Sequence, residues 1–150
     1  MTTLTRADWE QRARDLKIEG RAYINGEYTD AVSSETFECI SPVDGRLLGK
    51  IASCDAADAQ RAVENARATF NSGVWSRLAP AKRKSTMIRF AGLLKQHAEE
   101  LALLETLDLG KPISDSLYID VPGAAQALSW SGEAIDKIYD EVAATPHDQL

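Results

Sequence analysis

The longest helical pattern in the chain lies in residues 79–112. There Met87, Ala91, Leu94, Ala98 and Leu101 recur at steps of four and three, which places them on one face of a helix. Pro80 suits a first helical position, where its missing N–H is not needed. Gly110 can close a helix in the left-handed conformation, and Pro112 cannot continue one. A run of about thirty residues exceeds the ~8–20 usual in globular proteins. The pattern therefore predicts a break near Gln96 and His97, with a second helix over residues 98–109. Burial of Met87, Leu94, Leu101 and Leu104 is worth roughly 6–12 kcal/mol, at about 1.5–3 kcal/mol per side chain, and requires a partner surface.

Upstream, Thr5 followed by Asp8 signals a helix start. Trp9, Ala13 and Leu16 give that helix a narrow apolar stripe, and Gly20 ends it. Tyr23, Ile24 and Tyr28 flank Asn25-Gly26, a hairpin signal because both turn positions need positive φ. Further strands are expected over residues 36–40 and 46–53, the latter with Leu48 and Ile51 inside. Ser41-Pro-Val-Asp-Gly45 forms the turn between them, and the whole reads as a small β-meander. Asp55 and Asp58 open the next helix as a capping box. Ala59, Val63, Ala66 and Phe70 are its expected buried face, Gly73 its stop, and Trp75 lies in the connection that follows. After Pro112 an irregular or single-turn segment leads to Asp120. A last helix over residues 121–142 carries the stripe Ala124, Leu128, Ser131, Ile135, Ile138 and Val142, with Thr145-Pro146 marking its end.

Composition narrows the class. With 150 residues, 44% hydrophobic and 27% charged, the chain has the size and make-up of one globular domain. A formal charge of −6 argues against nucleic acid as a partner, since phosphate binding needs a basic surface. Lys82, Arg83 and Lys84 read as a solvated helix face. No apolar run approaches the ~18 residues of a membrane span, and the N-terminus lacks the layout of a secretion signal. Cys39 and Cys54 are too few for a disulfide framework and suit a reducing cytoplasm.

Chemistry is sparse. No Gly-x-Gly-x-x-Gly follows a strand, and Glu105 occupies the place of the first glycine a phosphate loop ending at Gly110-Lys111 would need. Cys39 and Cys54 read as buried small side chains without a base to activate them. His97 tips a helix end and His147 lies in the tail, while Glu99, Glu100 and Glu105 are solvated or paired with Lys95. From the residues alone no catalytic or cofactor-binding group is identified.

Five blocks carry a resemblance. Tyr23-Ile-Asn-Gly-Glu-Tyr28, Ser41-Pro-Val-Asp-Gly45, Ala62-Val-Glu-Asn-Ala-Arg-Ala-Thr-Phe70, Trp75 and Leu104-Glu-Thr-Leu-Asp-Leu-Gly-Lys-Pro112 resemble, in order and spacing, the NAD(P)-dependent aldehyde dehydrogenases. The leader from Trp9 to Gly20, Phe37-Glu38, Pro80-Ala-Lys-Arg-Lys84 and residues 113–137 resemble the branch acting on γ-glutamyl-γ-aminobutyraldehyde and related aminoaldehydes of polyamine breakdown. The resemblance implies an α/β fold of which this is an N-terminal, mostly helical piece of the cofactor-binding domain. Its parts are a leader (residues 1–20), a β-meander (21–54), helices (55–142) and a tail (143–150), without the Rossmann strands.

It further implies a cytoplasmic homo-oligomer that oxidises a small-molecule aldehyde with NAD or NADP. The catalytic and cofactor-binding residues would sit in a missing C-terminal part of the polypeptide, leaving the piece inactive alone, with no nucleic-acid or membrane partner. Ile119, Asp120, Gly123 and Trp130 match positions at the mouth of the substrate tunnel. Asp120 there either attracts an amino-group cation or caps the last helix. Cys39 and Ile40, through backbone oxygens, and Asp108, through its carboxylate, match a structural monovalent-cation site; Asp108 as a simple helix-end residue is the other reading. The competing class is a freestanding helical binding or structural module without catalysis.

Overall fold

The computed structural model describes residues 4–138. Helix α1 (Arg6–Asp15) opens as expected: the Thr5 hydroxyl accepts the Asp8 N–H at 3.3 Å, and the Asp8 carboxylate accepts the Thr5 N–H at 2.7 Å. It closes at Leu16, which turns extended, so Gly20 is not its stop. Gly20 serves a close approach instead. A Cβ there would lie 2.0 Å from the Lys50 carbonyl oxygen, and the Gly20 carbonyl accepts the Ala52 N–H at 2.8 Å.

The meander is corrected to two separate antiparallel hairpins. In the first, β1 (Ala22–Ile24) pairs with β2 (Glu27–Thr29) across Asn25 and Gly26, whose φ angles of 58° and 82° meet the demand of the tight turn. Tyr23 and Tyr28 stand opposite each other with ring centroids 5.0 Å apart, edge to face. In the second, β3 (Thr36–Ile40) pairs with β4 (Leu47–Ala52), with a register irregularity between Cys39 and Ile40. The link between hairpins buries Ala31 and turns at Ser34 (φ 60°), which steers β3 away from β2.

Helix α2 (Ala56–Ser72) has the expected capping box and closes on Gly73 at φ 81°. Its expected apolar face is nevertheless outward: Val63 is 62% and Phe70 56% exposed, and Ala59 and Ala66 are exposed too. The buried side chain is Asp58, at 2%. Its carboxylate accepts N–H groups of Val32 at 3.1 Å and Asp55 at 3.2 Å and pairs with Arg61 at 3.1 Å. Arg61 also donates to Thr29 Oγ1 at 2.8 Å, and Asn65 to Asn25 Oδ1 at 2.8 Å. A polar edge, not the apolar stripe, thus ties α2 to the first hairpin.

The long helix breaks where expected, into α3 (Pro80–Gln96) and α4 (Ala98–Leu109), with His97 at φ −102° and ψ 21° and Gly110 left-handed at φ 74°. Its burial is shifted from the expected stripe. Ala91, Ala102, Leu103 and Leu107 are buried, whereas Met87, Leu94, Leu101 and Leu104 are only half-buried, so the four leucine and methionine side chains contribute part of the gain that full burial would bring.

From Ile113 to Ala134 the chain is helical throughout: α5 (Ile113–Asp115), a π turn (Ser116–Asp120) and α6 (Val121–Ala134) run on without a gap. The Val121 N–H bonds the Ser116 carbonyl five residues back. Pro122 accounts for the widened turn, because it has no N–H to give residue 118 and its ring crowds that carbonyl. The buried side of α6 is Val121, Ala125 and Gly132, with Leu128 and Ile135 half-buried; Ala124, Ser131 and Ile138 of the expected stripe are exposed. Gly132 lets α6 press on α3, since a Cβ would stand 2.9 Å from Met87 Cβ. The helix ends at Ala134, short of residue 142; Val142, Thr145-Pro146 and His147 lie outside the described residues.

Candidate functional site

The π turn and α6 carry the expected tunnel-mouth residues. Ile119, Gly123 and Trp130 lie four and then seven residues apart, which puts them on one side of the helix, facing away from α3. Ile119 is exposed and Trp130 is 73% exposed; a Cβ on Gly123 would meet nothing within 4 Å. Tyr118, absent from the sequence-based set, is also exposed on this stretch. Its signal was an aromatic directly before Ile119.

Asp120 stands apart from that side. It is not a helix cap: its backbone is helical (φ −73°, ψ −53°) and its side chain bonds no orphan N–H. The carboxylate instead takes the Lys111 Nζ, both side chains being about one-third exposed at 35% and 32%. That hydrogen bond, supported by the charges of Asp120, Glu105 and Asp115, raises the Lys111 ammonium above its ordinary range. Lys111 was missed because it reaches Asp120 across the break at Pro112, a spacing no helical pattern displays.

At the second set of positions, β3 meets the end of α4. The Cys39 thiol donates to Asp108 Oδ1 at 3.5 Å. Burial and the Asp108 carboxylate push the Cys39 thiol up, which disfavours a thiolate. Ile40, next in line, is exposed and sits at the register irregularity, where strand pairing is interrupted. Cys54 is exposed, which corrects its reading as a buried residue; it lies in the short link between β4 and the Asp55 cap.

Several other charges have structural partners. Glu99 pairs with Arg12 of α1 at 2.5 Å and Glu100 lies 3.7 Å from His97, so neither answers Lys95. Lys84 is half-buried and bridges to Glu133 at 2.6 Å and Asp136 at 3.0 Å; it lowers the Glu133 carboxyl, and Lys137 together with Lys84 lowers that of Asp136, so the basic cluster is only partly a solvated face. An open groove of about 830 Å³ runs between α1 and α4, past Trp9, Arg46 and Leu107.

Among the described residues no three His, Cys, Asp or Glu side chains gather into a metal site, and no helix is long and apolar enough to cross a membrane. A dinucleotide does not fit these residues either. Their strands form only two-stranded antiparallel hairpins, with no glycine-rich turn passing from a parallel strand into a helix.

Comparison with known proteins supplies what the geometry leaves open. The sequence model of the aldehyde dehydrogenase family matches residues 28–150. The NADP/NAD-dependent aldehyde dehydrogenase PuuC of Escherichia coli is 53% identical over 144 residues, covering 96% of this chain and 29% of PuuC. The indole-3-acetaldehyde dehydrogenase AldA of P. syringae, solved with NAD+ and IAA, is 83% identical with a TM-score of 0.95, over 97% of this chain and 30% of that one. A γ-glutamyl-γ-aminobutyraldehyde dehydrogenase from Burkholderia cenocepacia is 52% identical with a TM-score of 0.93, over 96% of this chain and 29% of that one. The chain thus spans somewhat under a third of the length of these relatives.

Proposed function

The chain belongs to the aldehyde dehydrogenase family, and from that premise we propose that it is the N-terminal part of the cofactor-binding domain of an enzyme that oxidises an aldehyde to its acid with NAD or NADP. The observation that carries this reading is the superposition at TM-score 0.95 and 83% identity on an enzyme some three times longer. Cys39 is a poor nucleophile, its thiol pushed up by burial and by Asp108. The reacting cysteine, its base and the dinucleotide contacts belong, in this proposal, to other parts of a longer polypeptide.

What these residues contribute is support and one wall. The packed layer of α3, α4 and α6 holds the side of α6 that carries Ile119, Gly123 and Trp130 toward the substrate. Gly123 leaves the mouth wide. The interrupted pairing at Cys39 and Ile40, beside the Asp108 carboxylate, suits oxygen ligation of a monovalent cation that would stiffen the junction of β3 and α4. The exposed apolar side chains of α2 and α6 support burial in a larger body and in a homo-oligomer, and a cytoplasmic location goes with the reading.

The substrate of this proposal is an aminoaldehyde of polyamine breakdown, as in the PuuC branch. A second reading, indole-3-acetaldehyde, is favoured by the higher identity to AldA, 83% against 53%. Steady-state rates of NAD(P)H formation by a full-length polypeptide carrying residues 1–150 test both. One of the two aldehydes should support turnover, and Gly123→Met should raise KM for bulky aldehydes. The isolated 150-residue chain should show no saturable NAD binding; a micromolar constant would place the cofactor site here and sink the proposal.

A further inference from the structure

We propose that Asn25 is a site of spontaneous deamidation that the first hairpin holds closed, with Asn65 of α2 as its latch. The chemistry is intramolecular. The backbone nitrogen of Gly26 attacks Cγ of the Asn25 side chain. A C–N bond forms, the Gly26 amide proton is lost, and the side-chain nitrogen leaves as ammonia. Water then opens the five-membered imide. Breaking its bond from nitrogen to Cγ gives aspartate. Breaking its bond to the original backbone carbonyl gives isoaspartate, in which the chain runs through the side chain. Glycine at position 26 sets no side chain in the way of the attacking nitrogen.

The folded turn forbids that attack. Asn25 lies in the left-handed region at φ 58°, followed by Gly26 at 82°, and ψ there is about +47°. Cβ of Asn25 then stands on the far side of the Cα–C bond from the Gly26 nitrogen, so the ring closes only after ψ rotates to nearly the opposite side. That rotation undoes the tight turn and the pairing of Ile24 with Glu27. The side chain is pinned as well. Asn25 Oδ1 accepts the Asn65 amide at 2.8 Å, which holds Cγ toward α2.

The guard is thus the resistance of the hairpin to opening. Each of its strands has three residues, and a lone two-stranded hairpin is marginal in water. Three contacts reinforce it: the Tyr23–Tyr28 ring pair, the Asn25–Asn65 bond and the Arg61 bond to Thr29 Oγ1. Two of the three come from α2. Asn25 and Gly26 are exposed, and a Cβ on Gly26 would meet nothing within 4 Å, so water reaches the imide when the turn opens. The two products differ in consequence. Aspartate keeps the backbone and an oxygen for Asn65. Isoaspartate adds one backbone atom to a two-residue turn, so β1 and β2 lose register and the hairpin leaves α2.

The test follows conversion at Asn25 by peptide mass spectrometry in a full-length polypeptide carrying residues 1–150, aged in mildly alkaline buffer with and without urea. Native conversion should be at least about tenfold slower than conversion in urea, because only opened molecules react. Asn65→Ala should speed native conversion about two- to tenfold and leave the rate in urea unchanged. Val63→Ala, on the exposed stripe of the same helix, should move neither rate. Limited proteolysis should cut the isoaspartate form near the turn faster than the unconverted form.

No conversion in urea overturns the site, and a native rate equal to that in urea overturns the guard. A native rate unmoved by Asn65→Ala, or raised equally by Val63→Ala, overturns the latch. Equal cleavage of the isoaspartate and unconverted forms overturns the release from α2. Should Asn65→Ala not fold, Thr29→Val decides: it removes the acceptor of Arg61 and should speed native conversion about twofold, and an unmoved rate overturns the part given to α2.

Discussion

Helices α2 and α4 invert each other. Helix α2 has every local device: a reciprocal cap from Asp55 and Asp58, a left-handed glycine and a regular apolar stripe. Yet Val63 and Phe70 on that stripe face solvent, and the one buried side chain is a carboxylate. Helix α4 has no side-chain cap, with His97 at its start making no capping bond, yet it buries Ala102, Leu103 and Leu107 among α3, α5 and α6. Local chemistry thus decides where a helix begins and ends, whereas neighbours decide which side is covered and how much stability it returns.

The largest way to sharpen the contrast is truncation on each side. Leu103→Ala in α4 should cost about 2–5 kcal/mol in urea denaturation, while Val63→Ala in α2 should cost under about 0.5 kcal/mol. A comparable loss at Val63 would mean that α2 packs against something in solution. Next comes the polar anchor. Asp58→Ala strips α2 of the return half of its capping box, its Arg61 partner and its tie to Val32, for about 2–3 kcal/mol, whereas His97→Ala at the head of α4 should change stability by under about 0.5 kcal/mol.

Somewhat smaller is Gly132→Ala. The added methyl meets Met87 Cβ and the Lys84 carbonyl, so it should cost about 1–3 kcal/mol and lower the melting temperature. A neutral result would show that α3 and α6 separate freely.

The least effect is expected from charge at the approach to the first hairpin. Glu19 is held down to about 2 by hydrogen bonds from the Arg21 side chain and backbone, against an ordinary 4.5. Because the folded value is the lower one, the stabilisation is present above about pH 4.5 and is lost as pH falls toward 2. Melting curves of Glu19→Gln and wild type should therefore differ slightly near neutrality and converge in acid. A difference that grows in acid would reverse the sign.

The same inversion explains what could be read in advance. Asn25-Gly26, Asp55 with Asp58, Pro80, the break at His97 and the stops at Gly73 and Gly110 were legible because each acts within four or five residues. The stripes of α2 and α6 were not, since which side is covered depends on elements far along the chain. Gly20 looked like a helix stop because its contact, the Lys50 carbonyl, lies thirty residues away. In the candidate site, Ile119, Gly123 and Trp130 were named from resemblance and do share a side. The partner of Asp120 was invisible, because Lys111 reaches it around a proline break.

The π turn has a consequence for how such a chain can change. Inserting one residue into a helix twists everything downstream by about 100°, so the five residues from Ser116 to Asp120 act as a joint between two screws that are out of step. Deleting a single residue there would swing the indole of Trp130 around the axis and carry Gly132 off its seat on α3. A lineage can therefore retune this wall by a one-codon gain or loss, with no side chain on it replaced.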